Sequence, residues 1–203
     1  MKNEPPAAQK PLFSLDRSQV VPALVGKPDD FLIVTGLAGA VYEIAALTNH
    51  ADYFYGLGGA MGAGCMMGLG LALAQPTRKV LVVTGDGEML MSLGSLCTIA
   101  TVNPPNLSIL CVDNGHYGET GYQRSHTARG VDLAAIAKGA GIRRVHSVVA
   151  EEDVAAGAQM LRGDGDTCFV LASVKPTDGP KGKLNLFGDE CRTIFRRALL
   201  GPA

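Results

Sequence analysis

Asp86 and Asn114 are the residues of this chain whose type and placement most clearly spell chemistry. Each closes an apolar run: Val80 to Thr84 leads into Gly85-Asp86-Gly87, and Leu107 to Val112 leads into Asp113-Asn114-Gly115. Runs of this kind read as buried strands of a parallel sheet, and ligands of such sheets bind outside the strands' carboxyl ends. One carboxylate and one amide oxygen make a poor all-protein metal cage. They suit Mg²⁺, which takes few protein ligands and fills its octahedron with phosphate oxygens and water. The glycines around Asp86 let backbone approach a phosphate. The helix that follows, expected over 88–101, offers free N–H groups and a partial positive charge. Together these features describe a diphosphate held by Mg²⁺.

The rest of the chain alternates strands and helices around that pair. A short helix over 15–25, with Ser14 as its expected N-cap, precedes a strand over 31–35. A turn at 36–39 leads to a helix over 40–47, and an extended piece at 53–55 precedes a glycine-rich turn and a helix over 60–74. After the two site strands comes a loop or short helix over 117–129. Then follow a helix over 133–139, a strand over 145–149, a helix over 151–161 and a strand over 167–172. A polar loop at 176–183 and an amphipathic helix over 187–200 complete the pattern. Such alternation predicts an α/β fold: a doubly wound, mainly parallel sheet with helices on both faces. Residues 1–13, rich in Pro, Ala, Lys and Gln, read as a loose extension, and 14–203 as one domain.

Gly-Asp-Gly occurs a second time, at Gly163-Asp164-Gly165. This copy follows a helix and precedes a strand, so it falls at the strand's amino end, away from the site edge. A helix-to-strand turn accounts for it.

The first copy with its Asn resembles the Gly-Asp-Gly…Asn motif of thiamine diphosphate (TPP) enzymes. Gly56-Leu-Gly-Gly-Ala-Met61-Gly62 is similar to the Gly-Ala-Met-Gly segment of the acetolactate synthase and pyruvate decarboxylase relatives. The segments 113–123 and 130–137 resemble the sulfopyruvate and phosphonopyruvate decarboxylase branch. The likeness runs over roughly residues 30–175 and implies the TPP-binding fold of these enzymes' diphosphate domain. It implies Mg²⁺ bound by Asp86, the side chain of Asn114 and the main-chain carbonyl of His116. It also implies cofactor contacts at Gly85, Gly87, Glu88 and Tyr117, with backbone N–H groups of Gly87 and Glu88 on the diphosphate. Gly59 and Met61 take positions that receive the aminopyrimidine and hold the cofactor bent. Asp113 stands where many relatives have Asn, and Glu88 where decarboxylases often have Ser or Ala.

One element of the family pattern is absent from this length of chain. TPP enzymes place a glutamate against the pyrimidine N1′, and it comes from a separate pyrimidine-binding domain. Glu43 does not match that motif and reads as a solvent-facing helical residue. The resemblance therefore implies the diphosphate-binding subunit of a two-subunit 2-oxoacid decarboxylase, inactive without a pyrimidine-domain (α) partner. His116, Arg124, His126 and Arg129 are candidates to meet the acidic tail of a small 2-oxoacid, since guanidinium groups match sulfonate or phosphonate oxygens. A carboligase subunit of the acetolactate synthase kind, and a non-catalytic TPP-binding module, are the alternatives.

Composition excludes other classes. With 203 residues, 47% hydrophobic and 18% charged, the chain can build a core, and its net charge of −1 offers no footprint for nucleic acid. Cys65, Cys97, Cys111, Cys168 and Cys191 show no metal-ligand or disulfide spacing, which points to free thiols, mostly buried, and a reducing cytoplasm. No charge falls between Asp52 and Arg78, a stretch long enough to span a bilayer. Its glycine-crowded start between α/β units argues for a helix buried against a sheet and a second subunit instead. Self-association is the expectation.

Overall fold

The computed structural model describes residues 13–201 apart from 181 and 186. All but Phe13 of the expected N-terminal extension lies outside the described residues. In chain order the elements are α1 (Arg17–Val25), β1 (Phe31–Thr35), α2 (Gly39–Thr48), β2 (Phe54–Gly56), α3 (Gly64–Ala74), β3 (Lys79–Gly85), α4 (Asp86–Met91) and α5 (Gly94–Val102). They continue with β4 (Leu107–Asp113), β5 (His116–Tyr117), β6 (Gln123–Arg124), α6 (Leu133–Gly139), β7 (Arg144–Val148), α7 (Glu151–Arg162), β8 (Cys168–Ser173) and α8 (Gly188–Leu200).

Six strands form one parallel sheet in the order β2-β1-β3-β4-β8-β7. Alternating side chains send the strands' apolar residues to two cores. Leu81, Val83, Leu110 and Val170 pack with Val20, Val21 and Leu24 of α1 and Leu161 of α7. Val80, Val82, Ile109 and Phe169 pack on the other face with Cys65 and Leu69 of α3, Ile99 of α5 and Leu133 of α6. Strands buried on both faces read as unbroken apolar runs, as β3 and β4 do. β1 is flanked by β2 on one side and β3 on the other, so consecutive units depart in opposite directions from the β1/β3 junction. That is the switch point where a crevice opens in doubly wound sheets.

Several expected boundaries move for local reasons. α1 is capped by Asp16, whose carboxylate accepts from Ser18 N at 2.9 Å, not by Ser14. Leu15 is instead drawn into a parallel bridge with Val174. α3 begins at Gly64, because Gly58 (φ 61°) and Gly62 (φ 83°) are left-handed and cannot continue a right-handed helix backwards to residue 60. The expected helix over 88–101 is two helices. The chain leaves helical geometry at Ser92 (φ −132°), whose carbonyl accepts from Ser95 Oγ at 2.6 Å. The stretch 117–129 is a small antiparallel hairpin, His116 opposite Arg124, flanked by short 3₁₀ turns.

The uncharged stretch between Asp52 and Arg78 divides into β2, a glycine loop and the 11-residue α3. Among the described residues no helix is long and apolar enough to cross a membrane. Gly68 shows why α3 is rich in glycine. A Cβ there would lie 2.1 Å from Val82 Cγ2, so only glycine lets the helix press onto β3. The five cysteines are free. Cys65, Cys111 and Cys168 are buried as expected, whereas Cys97 is exposed and Cys191 partly so.

Candidate functional site

A cavity of roughly 720 Å³ opens at the carboxyl ends of β1, β3 and β4. Leu37 to Ala40 enter it from the turn after β1, Gly85 to Glu88 from the end of β3, and Asn114, His116 and Tyr117 from the end of β4. The hairpin after β4 contributes Tyr122, and the loop after β8 contributes Thr177 to Pro180. Tyr122 donates its hydroxyl to Asp178 Oδ1 at 2.6 Å, which ties hairpin and loop together at the rim.

Asp86 is the first residue of α4 and is buried at the cavity floor. Its Oδ2 accepts from Ser125 Oγ at 2.5 Å, and Thr127 Oγ1 lies 3.3 Å from the same oxygen. Thr127 has one proton to give. The shorter contact, 2.7 Å to Asp113 Oδ1, takes it, while Gly115 N donates to that same oxygen at 2.9 Å. Burial raises the carboxyl pKa of Asp86, opposed by the Ser125 and Thr127 hydrogen bonds. Asp113 is pushed up to about 7, first by burial and then by the charge of Asp86. Two buried acids thus lie beneath the cavity, each holding one hydroxyl of a Ser125–Thr127 pair whose oxygens are 2.9 Å apart. Neither Ser125 nor Thr127 stands out in the sequence, since two hydroxyls in a polar loop carry no period or motif.

Asn114 Oδ1 accepts from His116 N at 2.9 Å, and His116 Nδ1 lies 2.9 Å from Asn114 O. This tight turn aims residues 114–116 at the cavity, and an amide oxygen with two lone pairs can bond a further group while accepting that N–H. Gly87 is roofed by two side chains. A Cβ there would meet Tyr117 Cε1 at 2.7 Å and Met61 Cε at 3.4 Å, so any larger residue would displace the wall. Met61 lines the cavity, while Gly59 is exposed on the glycine loop outside its lining.

Glu88 is buried, and its side chain folds back to the N-cap of α4, Gly85. Its carboxylate accepts from Gly62 N at 3.3 Å, Thr84 Oγ1 at 3.3 Å and Gly85 N at 3.5 Å. A Cβ on Gly36 would lie 1.8 Å from Glu88 Oε1, so this carboxylate braces the turns after β1 and β3 and the glycine loop together. Burial raises its pKa against those hydrogen bonds.

Of the candidate substrate contacts, His116 faces the cavity. Arg124, His126 and Arg129 are exposed and stand outside its lining. Glu43 corrects the sequence reading: it is 6% exposed rather than solvent-facing, and its Oε1 accepts from Arg17 Nε at 2.6 Å. The guanidinium of Arg17, itself 5% exposed, reaches the cavity wall. The signal for that burial is Arg17's place on the stripe of Val20, Val21 and Leu24, one helical turn and two turns away. The second Gly-Asp-Gly lies where its topology requires, between α7 and β8. There Asp164 is exposed and within 3.1 Å of Lys79 Nζ.

Residues 35–172 match the family model described as thiamine pyrophosphate enzyme, C-terminal TPP binding domain. The chain belongs to that family. Among curated relatives, the TPP-binding domain is 41% identical over 146 residues to phosphonopyruvate decarboxylase of Streptomyces viridochromogenes, covering 71% of this chain and 36% of that protein. It is 40% identical over 121 residues to the sulfopyruvate decarboxylase subunit beta of Methanocaldococcus jannaschii, covering 60% of this chain and 63% of that one. It is 34% identical over 187 residues to the corresponding subunit of Methanothermobacter thermautotrophicus, covering 92% and 97%. The chain spans about a third of the first and under two thirds of the second. A crystal structure from Mycobacterium smegmatis, described as a thiamin diphosphate-dependent enzyme, superposes with a TM-score of 0.64 at 22% identity. It covers 86% of this chain and 35% of that one, and it shows the shared fold.

Proposed function

We propose that this TPP-binding domain is the Mg²⁺- and diphosphate-holding subunit of a two-subunit 2-oxoacid decarboxylase of the sulfopyruvate/phosphonopyruvate type. The observation that carries the reading is the convergence of Asp86, Asn114 and His116 from adjacent parallel strands on one cavity. A single buried carboxylate, an amide oxygen and a backbone carbonyl fit a Mg²⁺ that keeps phosphate and water in its shell. No cluster of three or more His, Cys, Asp or Glu forms among the described residues, as that ligand set requires none.

In this reading Asp86, Asn114 Oδ1 and the His116 carbonyl hold the metal. The backbone of Gly85 to Glu88, at the start of α4, would take the diphosphate. Met61 and Tyr117 form the apolar wall against the rings. When bound, thiamine diphosphate supplies the carbanion and electron-sink chemistry of decarboxylation. The buried carboxylates beside the site support a partner-supplied acid for the pyrimidine. Glu88 is committed to three turns, and Glu43 is paired with Arg17. The reducing cytoplasm is the compartment that suits five free thiols.

Isothermal titration with TPP and Mg²⁺ tests the reading. The wild-type chain binds, and Asp86→Ala, which removes the one charged ligand, gives no heat while its circular dichroism is unchanged. Equal affinity in that variant would show that the metal site has been misplaced.

A further inference from the structure

The cavity described above has a cationic end that nothing in its metal end requires. Arg17 is the one Lys or Arg among the described residues that line it, against four acids, Asp86, Glu88, Glu119 and Asp178. Its Nε–H is spent on Glu43 at 2.6 Å. The four N–H groups of Nη1 and Nη2 have no acceptor among the described residues, although the side chain is 7% exposed. Neither Nη is among the fully enclosed unpartnered atoms of the described residues, so both stay open to the cavity, where an oxygen-rich partner can reach them.

The surroundings favour an anion. The guanidinium lies against two glycines. A Cβ on Gly39 would fall 2.2 Å from Nη2, so a side chain there would push the fork aside, while Gly179 lies in ordinary contact with the guanidinium, 3.6 Å from Cζ to its Cβ position. Gly39 opens α2, a helix of 10 residues whose N-cap, Ala38, contributes no side-chain hydrogen bond. Ala38, Gly39 and Ala40 line the same cavity as Arg17, and an uncapped helix start favours negative charge. Glu43 holds the guanidinium by one edge, since its Oε1 takes Nε–H and leaves the two Nη groups uncommitted among the described residues.

We infer that Arg17 is an oxyanion-binding residue of this cavity, taking a tetrahedral phosphoryl or sulfonyl group through Nη1 and Nη2 at the start of α2. The inference rests on the decarboxylase reading for its two sources, the terminal phosphate of TPP or the acidic tail of a phosphonated or sulfonated 2-oxoacid. It moves tail recognition from the exposed Arg124, His126 and Arg129 to a buried residue that precedes the first strand.

Arg17→Gln leaves Glu43 as an unpaired buried carboxylate and can unfold the chain, so the test pairs it with Arg17→Gln/Glu43→Gln, which removes both charges. Arg17→Lys, which keeps charge without the fork, serves as the geometric control. Three readouts are taken on wild type and folded variants. These are affinity for TPP with Mg²⁺, affinity for inorganic phosphate by calorimetry, and, in complex with the pyrimidine-domain subunit, KM and kcat for a sulfonated 2-oxoacid against pyruvate. One charge-assisted hydrogen bond lost corresponds to about a ten- to hundredfold weakening. A loss of that size in TPP affinity assigns Arg17 to the cofactor phosphate. A KM increase of that size confined to the sulfonated substrate assigns it to the tail. If wild type binds no TPP but Arg17 variants lose phosphate affinity, the oxyanion site stands and the thiamine reading falls. Unchanged phosphate affinity, TPP affinity and substrate preference in the double variant would overturn the inference while leaving the decarboxylase reading in place.

Discussion

Ser125 shows how much the proposed site would depend on a residue outside the cavity lining. Its hydroxyl fixes one oxygen of Asp86, and Thr127 holds the neighbouring Asp113, so the two acids keep separate partners. Groups that orient a metal ligand are worth about 10- to 100-fold in metal affinity. Ser125→Ala is therefore expected to weaken Mg²⁺-dependent TPP binding by about tenfold without changing the fold, a drop that titration at fixed TPP would measure. Asp164→Ala, in the second Gly-Asp-Gly, leaves affinity within about twofold, as exposed substitutions away from special features do. A loss there matching that of Asp86→Ala would contradict the assignment of that copy to a turn. Asp86 and Asn114 were legible because strand ends announce themselves through the apolar runs before them. Ser125 and Thr127 were not, since what makes them useful is a fold-back of the hairpin that no local pattern encodes. Arg17 and Glu43 stood between these cases. Both fall on the buried stripes of their helices, where a charge is readable as a paired group once the stripe is given priority over polarity.

At the scale of elements, the six strands of the main sheet were readable to within a residue or so, the hairpin strands β5 and β6 were read as a loop or short helix, and two helix boundaries moved. The left-handed Gly58 and Gly62 delay α3, and the Ser92 break splits α4 from α5. In each case apolar content suggested continuity while backbone conformation decided otherwise. A further glycine, Gly68, sets the close fit of α3 on β3. Gly68→Ala inserts a methyl 2.1 Å from Val82 Cγ2, on a strand buried on both sides. Overpacking of a close-packed core costs roughly 1–3 kcal/mol. Because α3 and α4 both flank the glycine loop, the variant should unfold at lower urea with an unchanged m-value. A variant as stable as wild type would show that the α3–β3 contact yields more readily than its packing implies.

For the molecule as a whole, α3 leaves Met66, Met67 and Leu73 exposed at 42, 38 and 56%, and Met91 at the cavity rim is 64% exposed. Large permanent interfaces are more apolar than ordinary surface. Purified alone, the chain is expected to self-associate in analytical ultracentrifugation and to release no aldehyde from a sulfonated 2-oxoacid. Addition of a pyrimidine-domain subunit should start turnover, and steady turnover by the chain alone would remove the need for a partner. The strand order has a separate consequence, for the way the chain is made. β7 sits at the sheet's edge and pairs with β8 alone, yet β7 leaves the ribosome first. Until Ser173 has emerged, β7's backbone groups have no partner strand, while β2, β1 and β3 already have theirs and β4 has β3. Trypsin added to stalled nascent chains should therefore cut after Arg143 or Arg144 at every length short of β8, and lose those sites once β8 is out. Protection at shorter lengths would mean that β7 is held by something other than its neighbour in the sheet.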